Sequence, residues 1–355
     1  MTAAYSDQLA AERSIADKTK QRAETLTVTL APESDKRFSF TQVETRQIKR
    51  SGNIVVDNRR SSNFDGRVTD ANAQGFTIEV SRRTLNWSPS SDVDTPPRYL
   101  FIAANEAALA HSEIGAKRGI AFDKTGTVTS LTNGREFETA RTTAFPASAR
   151  RFLKVPQVLK ALGGAARADP IIQRLAARQK QAAETREPDL AGARLQHLFM
   201  FPYGKPLGIG QTVKRPAHAP RIRALANIPH TTTLTLKRSK TNVGELIARF
   251  KTTYEKDALT RQGIREQAVA VQAEYARRAR REPDKLAQHQ EWADTYLAKF
   301  KETAAFERID RATITISQAT GWPLRLEIVA TEISGRSEKS VSIRESVTIE
   351  MTAGR

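Results

Sequence analysis

Gly75-Phe76-Thr77-Ile78-Glu79-Val80 places Phe76, Ile78 and Val80 on one side of an extended chain and Thr77 and Glu79 on the other. Strict alternation of this kind marks a strand with one buried face. The pattern recurs in both directions along the chain. Thr25–Leu30 sets Leu26, Val28 and Leu30 against three threonines, and Phe38 and Phe40 alternate with Arg37, Ser39 and Thr41. Gly119–Phe122 and Thr127–Leu131 flank Asp123-Lys124-Thr125-Gly126, whose turn chemistry predicts a hairpin. Tyr99–Ala103 reads as a short buried strand. Strand patterns return at Thr231–Lys237, Thr313–Ser317, Leu324–Glu332 and Val341–Met351, with Thr320-Gly321 and Ser334-Gly335 supplying turns. The early connections are too short for crossover helices, so the pairing is expected to be antiparallel.

Helical composition occupies two blocks. Ala147–Leu162 is rich in helix formers and is halted by Gly163-Gly164. Asp169-Pro170 then reads as a helix start, followed by Ile171, Ile172, Leu175 and Ala176 at helical spacing. Residues 200–229 carry Pro202, Pro206, Pro216, Pro220 and Pro229 with Gly204, Gly208 and Gly210, a density that predicts a connecting loop. Residues 257–303 form the longest helical stretch, broken at Pro283 by a kink or a tight αα-turn. Trp292, Tyr296 and Phe300 make an apolar stripe along its second half. The expected fold is therefore α+β and β-rich, with two mostly antiparallel curved sheets, a helical middle segment and a long broken amphipathic helix at 257–303. The expected divisions are a polar, frayed helical segment at 1–23, a β-rich lobe at 24–146, a helical and Pro/Gly-rich connection at 147–229, and a second lobe at 230–355.

The 355 residues include no cysteine, which excludes disulfides, thiolate metal sites and a cysteine nucleophile. No run approaches the 18 apolar residues of a membrane-spanning helix. The first residues lack the apolar core of a secretory signal, so the chain as written reads as a soluble, cytoplasmic protein by default, and as periplasmic if it is a trimmed mature form. His111, His197, His218, His230 and His289 are scattered without ligand spacing, so no metal site or cofactor is expected. Tyr203–Gly210 has glycines and a lysine but lacks the spacing of a phosphate loop.

Asp123-Lys124-Thr125-Gly126-Thr127-Val128-Thr129 is similar over seven positions to the phosphorylation motif of P-type ATPases. The resemblance implies Asp123 as a nucleophile and Thr125 as a neighbour of phosphate and magnesium. The membrane spans, the Gly-Asp-Gly hinge and the acidic pair of that family are missing. The competing reading is mechanical, with Asp123 opening a turn and Gly126 taking its left-handed position. No catalytic residue is otherwise expected, and the chain leans towards a non-enzymatic protein.

Lys and Arg number 57 against 39 Asp and Glu, a net charge of +18, beyond the roughly 2–8 of a small domain. The densest cluster is Arg277, Arg278, Arg280 and Arg281, the candidate site for a polyanion. The doublets Arg59-Arg60 and Arg82-Arg83 fall in strand patterns, where neighbouring residues point to opposite faces. Aromatic residues make up only 6% and do not interleave with the basic clusters, so specific nucleic-acid binding is the weaker reading. The leading expectation is a basic binding or structural protein, of bacterial envelope type in its Ala- and Arg-rich β-meander character, holding an apolar or anionic ligand. A nucleic-acid or other polyanion binder is the alternative, and an aspartyl-phosphate enzyme at Asp123 the remote one.

Overall fold

The computed structural model describes residues 24–90, 93–185, 194–214, 220, 225, 228–335 and 340–353; the expected N-terminal segment 1–23 lies outside them. Strands β1 (Thr25–Thr27), β2 (Arg37–Arg50), β3 (Asn53–Ala71), β4 (Gly75–Trp87), β5 (Lys117–Asp123) and β6 (Val128–Leu131) come from the first part of the chain. The middle contributes β7 (Pro206–Gly208) and β8 (Thr212–Lys214). The last part contributes β9 (His230–Arg238), β10 (Glu245–Tyr254), β11 (Phe306–Ser317), β12 (Pro323–Ser334) and β13 (Val341–Ala353). Eleven of them form a single antiparallel sheet in the order β6-β5-β4-β3-β2-β13-β12-β11-β10-β9-β8, and β1 pairs with β7. The two sheets expected from sequence are thus one. Both strand-rich stretches are meanders of hairpins, and pairing of β2 with β13, from Val341↔Arg50 to Ala353↔Phe38, joins them. Arg50 and Asn53 bracket a two-residue turn in which Ser51 (φ 49°) and Gly52 (φ 81°) are both left-handed, the turn whose twist matches a strand pair.

The core lies on one face of this sheet. Phe38, Phe40, Val68, Phe76, Ile78, Ile120, Phe122, Leu234, Phe250, Ile314, Leu326 and Ile349 alternate into it from successive strands. The segment expected to be a connecting loop fills that core instead. A 3-10 helix at Arg194–Phe199 and the residues after it bury Leu195, Leu198, Phe199, Phe201, Tyr203 and Leu207. Phe199 packs 4.7 Å from Phe122 and 5.5 Å from Trp322, ring centre to ring centre. The Tyr203 hydroxyl donates to the Gly321 carbonyl at 2.9 Å, and burial raises its pKa above the ordinary phenol value. Proline and glycine there break regular structure without making the segment peripheral.

Four helices separate the strand blocks: α1 (Pro97–His111), α2 (Gly134–Leu153), α3 (Pro156–Leu162) and α4 (Ala165–Thr185). Tyr99–Ala103 belongs to α1 and is not a strand; its apolar run continues into Ala104, Ala107, Ala108 and Ala110, buried at helical spacing behind Pro97 in the first turn. Pro146 lies inside α2. Helix α4 starts ahead of Asp169-Pro170, because left-handed Gly163 (φ 83°) ends α3 and the Gly164 carbonyl accepts from Arg167 and Ala168. Asp169 pairs with Lys154 at 2.9 Å. Phe145, Ala149, Phe152 and Leu153 of α2 pack with α1, Val158 and Ile172 against Leu85 of β4.

The broken helix at 257–303 is two helices, α5 (Lys256–Arg281) and α6 (Leu286–Thr303), joined by a 3-10 turn at Pro283–Lys285. They run antiparallel, with Arg278 over the Trp292 ring and Gln267 bonded to Tyr296. Near its base the pair meets the sheet through Ala258, Leu259, Tyr254 and Phe306.

Because Phe199 is 1% exposed at a junction of three aromatic rings, Phe199→Ala should cost about 3–5 kcal/mol of unfolding free energy. Urea denaturation checks this; a loss below 1 kcal/mol would show that 194–209 is not part of the cooperative core.

Candidate ligand-binding site

Towards one end of the strands the core face changes character. On β2 the inward positions run Phe38, Phe40, Gln42, Glu44, Arg46; on β3 they run Val68, Phe64, Arg60, Asn58. Adjacent strands are in register there, so the polar positions converge. The result is a cavity of about 420 Å³ between β13, β2, β3, β4 and β5 on one side and α1 with the start of α2 on the other. Helix α1 presents Glu106, Leu109 and Ala110, spaced i, i+3 and i+4, and Glu113 follows in the turn beyond its end. Phe40, Phe64, Val80, Ile120, Phe137 and Val347 give the cavity apolar surface.

Four arginines line it: Arg46, Arg60, Arg82 and Arg118. Three face carboxylates. Arg60 donates from Nε to Glu44 Oε2 at 2.7 Å, Arg46 Nε lies 3.4 Å from Glu345 Oε1, and Arg82 Nη2 donates to Glu113 Oε2 at 3.0 Å. Arg82 also bonds Ser62 and lies over the Phe64 ring at 4.5 Å. A bulge places Arg82 opposite Phe64 and Thr84 opposite Asn63, leaving Arg83 as the extra residue, exposed and paired with Asp65. Arg118 forms no ion pair among the described residues; its guanidinium lies 4.0 Å over the Phe137 ring. Burial pulls its pKa below the ordinary value, aided by Arg141 and Arg82 and opposed by Glu113 and Glu138.

Among the described residues five buried side-chain polar atoms make no hydrogen bond, and three are the Nε atoms of Arg46, Arg82 and Arg118 beside this cavity, that of Arg46 keeping only its ion-pair contact with Glu345. Buried donors without acceptors are costly. Arg118 is the one cavity guanidinium without an ion pair among the described residues, and an anion entering the cavity would offset its charge. A second polar cluster on β10, β11 and β12 differs. Arg308 Nε donates to Asp310 Oδ1 at 3.0 Å and Nη1 to Glu332 at 3.3 Å, while the Tyr254 hydroxyl donates to Asp310 Oδ2 at 2.8 Å. That cluster is closed on itself.

The residues singled out in the sequence lie elsewhere. Asp123 ends β5, and its Oδ1 accepts from the Thr125 amide at 2.8 Å, the Thr125 hydroxyl at 2.7 Å and the Thr127 amide at 3.0 Å. Burial would raise its pKa, but these bonds and Lys124 outweigh it and hold the carboxyl below its usual range. Gly126 is left-handed (φ 79°), and a Cβ there would fall 2.4 Å from the Phe199 carbonyl oxygen. Arg277 and Arg278 both pair with Glu274, and Arg278 lies 4.0 Å over the Trp292 ring. Arg280 and Arg281 are exposed at the end of α5. None of the four lines the cavity. Among the described residues no group of three or more His, Asp or Glu could hold a metal ion, and no helix is long and apolar enough to cross a membrane. The helices that line the cavity are α1 and α2, and no residue of α5 or α6 lines it.

The cavity arginines were half visible in the sequence. Arg60 and Arg82 point inward while Arg59 and Arg83 are exposed, as strand alternation requires of each doublet. Arg46 and Arg118 share parity with Phe40 and Ile120 and could have been found the same way.

No protein-family model matches the chain, and no curated protein matches it. Among solved structures, the chain is similar to one described for lipid–protein interactions in lipovitellin, at 8% identity and a TM-score of 0.41. The alignment covers 91% of this chain and 26% of that one, so this chain spans about a quarter of its length. A likeness at that level transfers neither fold nor ligand.

Asp123→Ala should lower stability by about 1 kcal/mol at pH 7 through the lost turn bonds. The folded-state pKa is depressed, so the Asp123 contribution is present above the unfolded value near 4 and fades as pH falls through the folded one. Paired denaturation curves of wild type and variant should therefore lie closer together at pH 3 than at pH 7; an unchanged gap would assign the bonds to the neutral acid.

Proposed function

We propose that this protein is a non-enzymatic binding protein whose sheet curves around a small ligand bearing an anionic oxygen group on an apolar body. The observation that carries the reading is the convergence of four arginines on one cavity, of which Arg118 alone forms no ion pair among the described residues. A volume of about 420 Å³ lies within the range of small-molecule sites. Apolar surface from Phe40, Phe64, Val80 and Val347 suits a hydrocarbon or aromatic body. Arg46, Arg60 and Arg82 are already opposed by carboxylates, which favours one anionic group over a polyanion. The Arg118 guanidinium lies over the Phe137 ring and that of Arg82 over the Phe64 ring, contacts that hold both in place.

Calorimetric titration with octanoate tests this. Arg118→Gln should weaken binding by about 10- to 100-fold, the worth of a hydrogen bond to a charged group. Arg281→Gln, on the exposed end of α5, should leave it unchanged. Equal losses from both variants would point to a diffuse effect of the +18 charge and sink the cavity reading.

A further inference from the structure

The charges lining the cavity balance in an uneven way. Arg46, Arg60 and Arg82 are matched by Glu345, Glu44 and Glu113, which leaves one cation and one carboxylate, Arg118 and Glu106. Glu106 is half-buried on α1 and has no hydrogen bond or ion pair among the described residues. It stands seven residues before Glu113, which lies in the turn beyond the end of α1. Glu113, by contrast, acts electrostatically on Arg118 and bonds Arg82. Glu106 is not among the charges that act on Arg118, so the unmatched carboxylate and the unmatched guanidinium belong to different parts of the wall, with Leu109 and Ala110 of α1 between Glu106 and Glu113.

We propose that the ligand is a zwitterion, its anionic group held at Arg118 and a cationic group, separated by an apolar spacer, held at Glu106. This rests on the cavity reading above and specifies its ligand class. A ligand with an anion alone would leave Glu106 facing its apolar portion, and a polyanion would have to displace the three carboxylates already in place. A zwitterion answers both unmatched charges without disturbing any pair.

The test compares octanoate with 8-aminooctanoate, which differ by one ammonium group, in calorimetric titrations of the whole chain. An ammonium entering this cavity without a partner loses hydration, so without a role for Glu106 the amino acid binds more weakly than octanoate. The expected result is the reverse, with 8-aminooctanoate tighter by about fivefold. Glu106→Gln should abolish that preference, and Glu106→Lys should shift it towards octanedioate, with circular dichroism checking that each variant folds. Octanoate binding as well as or better than 8-aminooctanoate would overturn the zwitterion while leaving the anion site standing. Failure of both probes to bind the unaltered chain would overturn the cavity reading and this inference together. The ratio measured on the unaltered chain decides between these outcomes even if a variant does not fold.

Discussion

The pairing of β2 with β13 is the constraint on which the rest depends. Thr45 and Ser346, hydrogen-bonded at 2.7 Å across this seam, are 301 residues apart in the chain. Because side chains alternate with a period of two, a slip of one residue would turn Arg46, Glu44 and Phe40 away from the core face and bring Thr45 and Val43 into it. The apolar end of the seam holds the register, through Phe38, Phe40, Val347 and Ile349. The polar end then has no freedom of its own: Arg46 comes opposite Glu345, and Glu44 opposite Arg60, as a consequence of packing elsewhere on the same strands.

Charged groups in a partly closed space are tolerated here because almost every one is answered. Each ion pair offsets part of the desolvation of its partners, and the benefit is larger in position and specificity than in net stability. Glu44, Glu345 and Arg82 keep only 12%, 12% and 10% of their side-chain exposure. Removing one partner from such a pair would leave the other charge buried and alone. The Arg308, Asp310 and Tyr254 cluster shows the same chemistry completed, with Arg308 and Asp310 nearly inaccessible. A closed cluster and one with an unpaired guanidinium thus stand on a single sheet face.

Much of the strand content was legible because alternation is a local property. Phe76, Ile78 and Val80 could be assigned to one face without knowing what they faced. Tyr99–Ala103 was not legible, since five apolar residues satisfy a buried strand and a helix equally and only the alanines beyond them decide. The burial of Phe201, Tyr203 and Leu207, within the stretch 200–229 read as a connecting loop, was not legible because these side chains follow no period; irregular backbone can fill a core when its polar groups find partners, as Tyr203 does at Gly321. Single-strand parity marks Arg46, Arg60, Arg82 and Arg118 as inward. That they meet depends on the lateral order β13-β2-β3-β4-β5 and on a bulge at Arg83, and neither is written in any one segment.

The long seam also sets a schedule for assembly. Ribosomes add about 5–20 residues per second, so β2, β3, β4 and β5 emerge well before β13. During that interval Arg46 has no Glu345 opposite it and the cavity lacks the wall that Val347 supplies. Strand β2 meanwhile presents an open edge of unpaired amides and carbonyls, the template on which misassociation begins. The cavity is therefore complete only after translation has passed residue 353 and does not form progressively along the chain, and a nascent chain arrested between β12 and β13 would have both an open cavity wall and an edge prone to self-association.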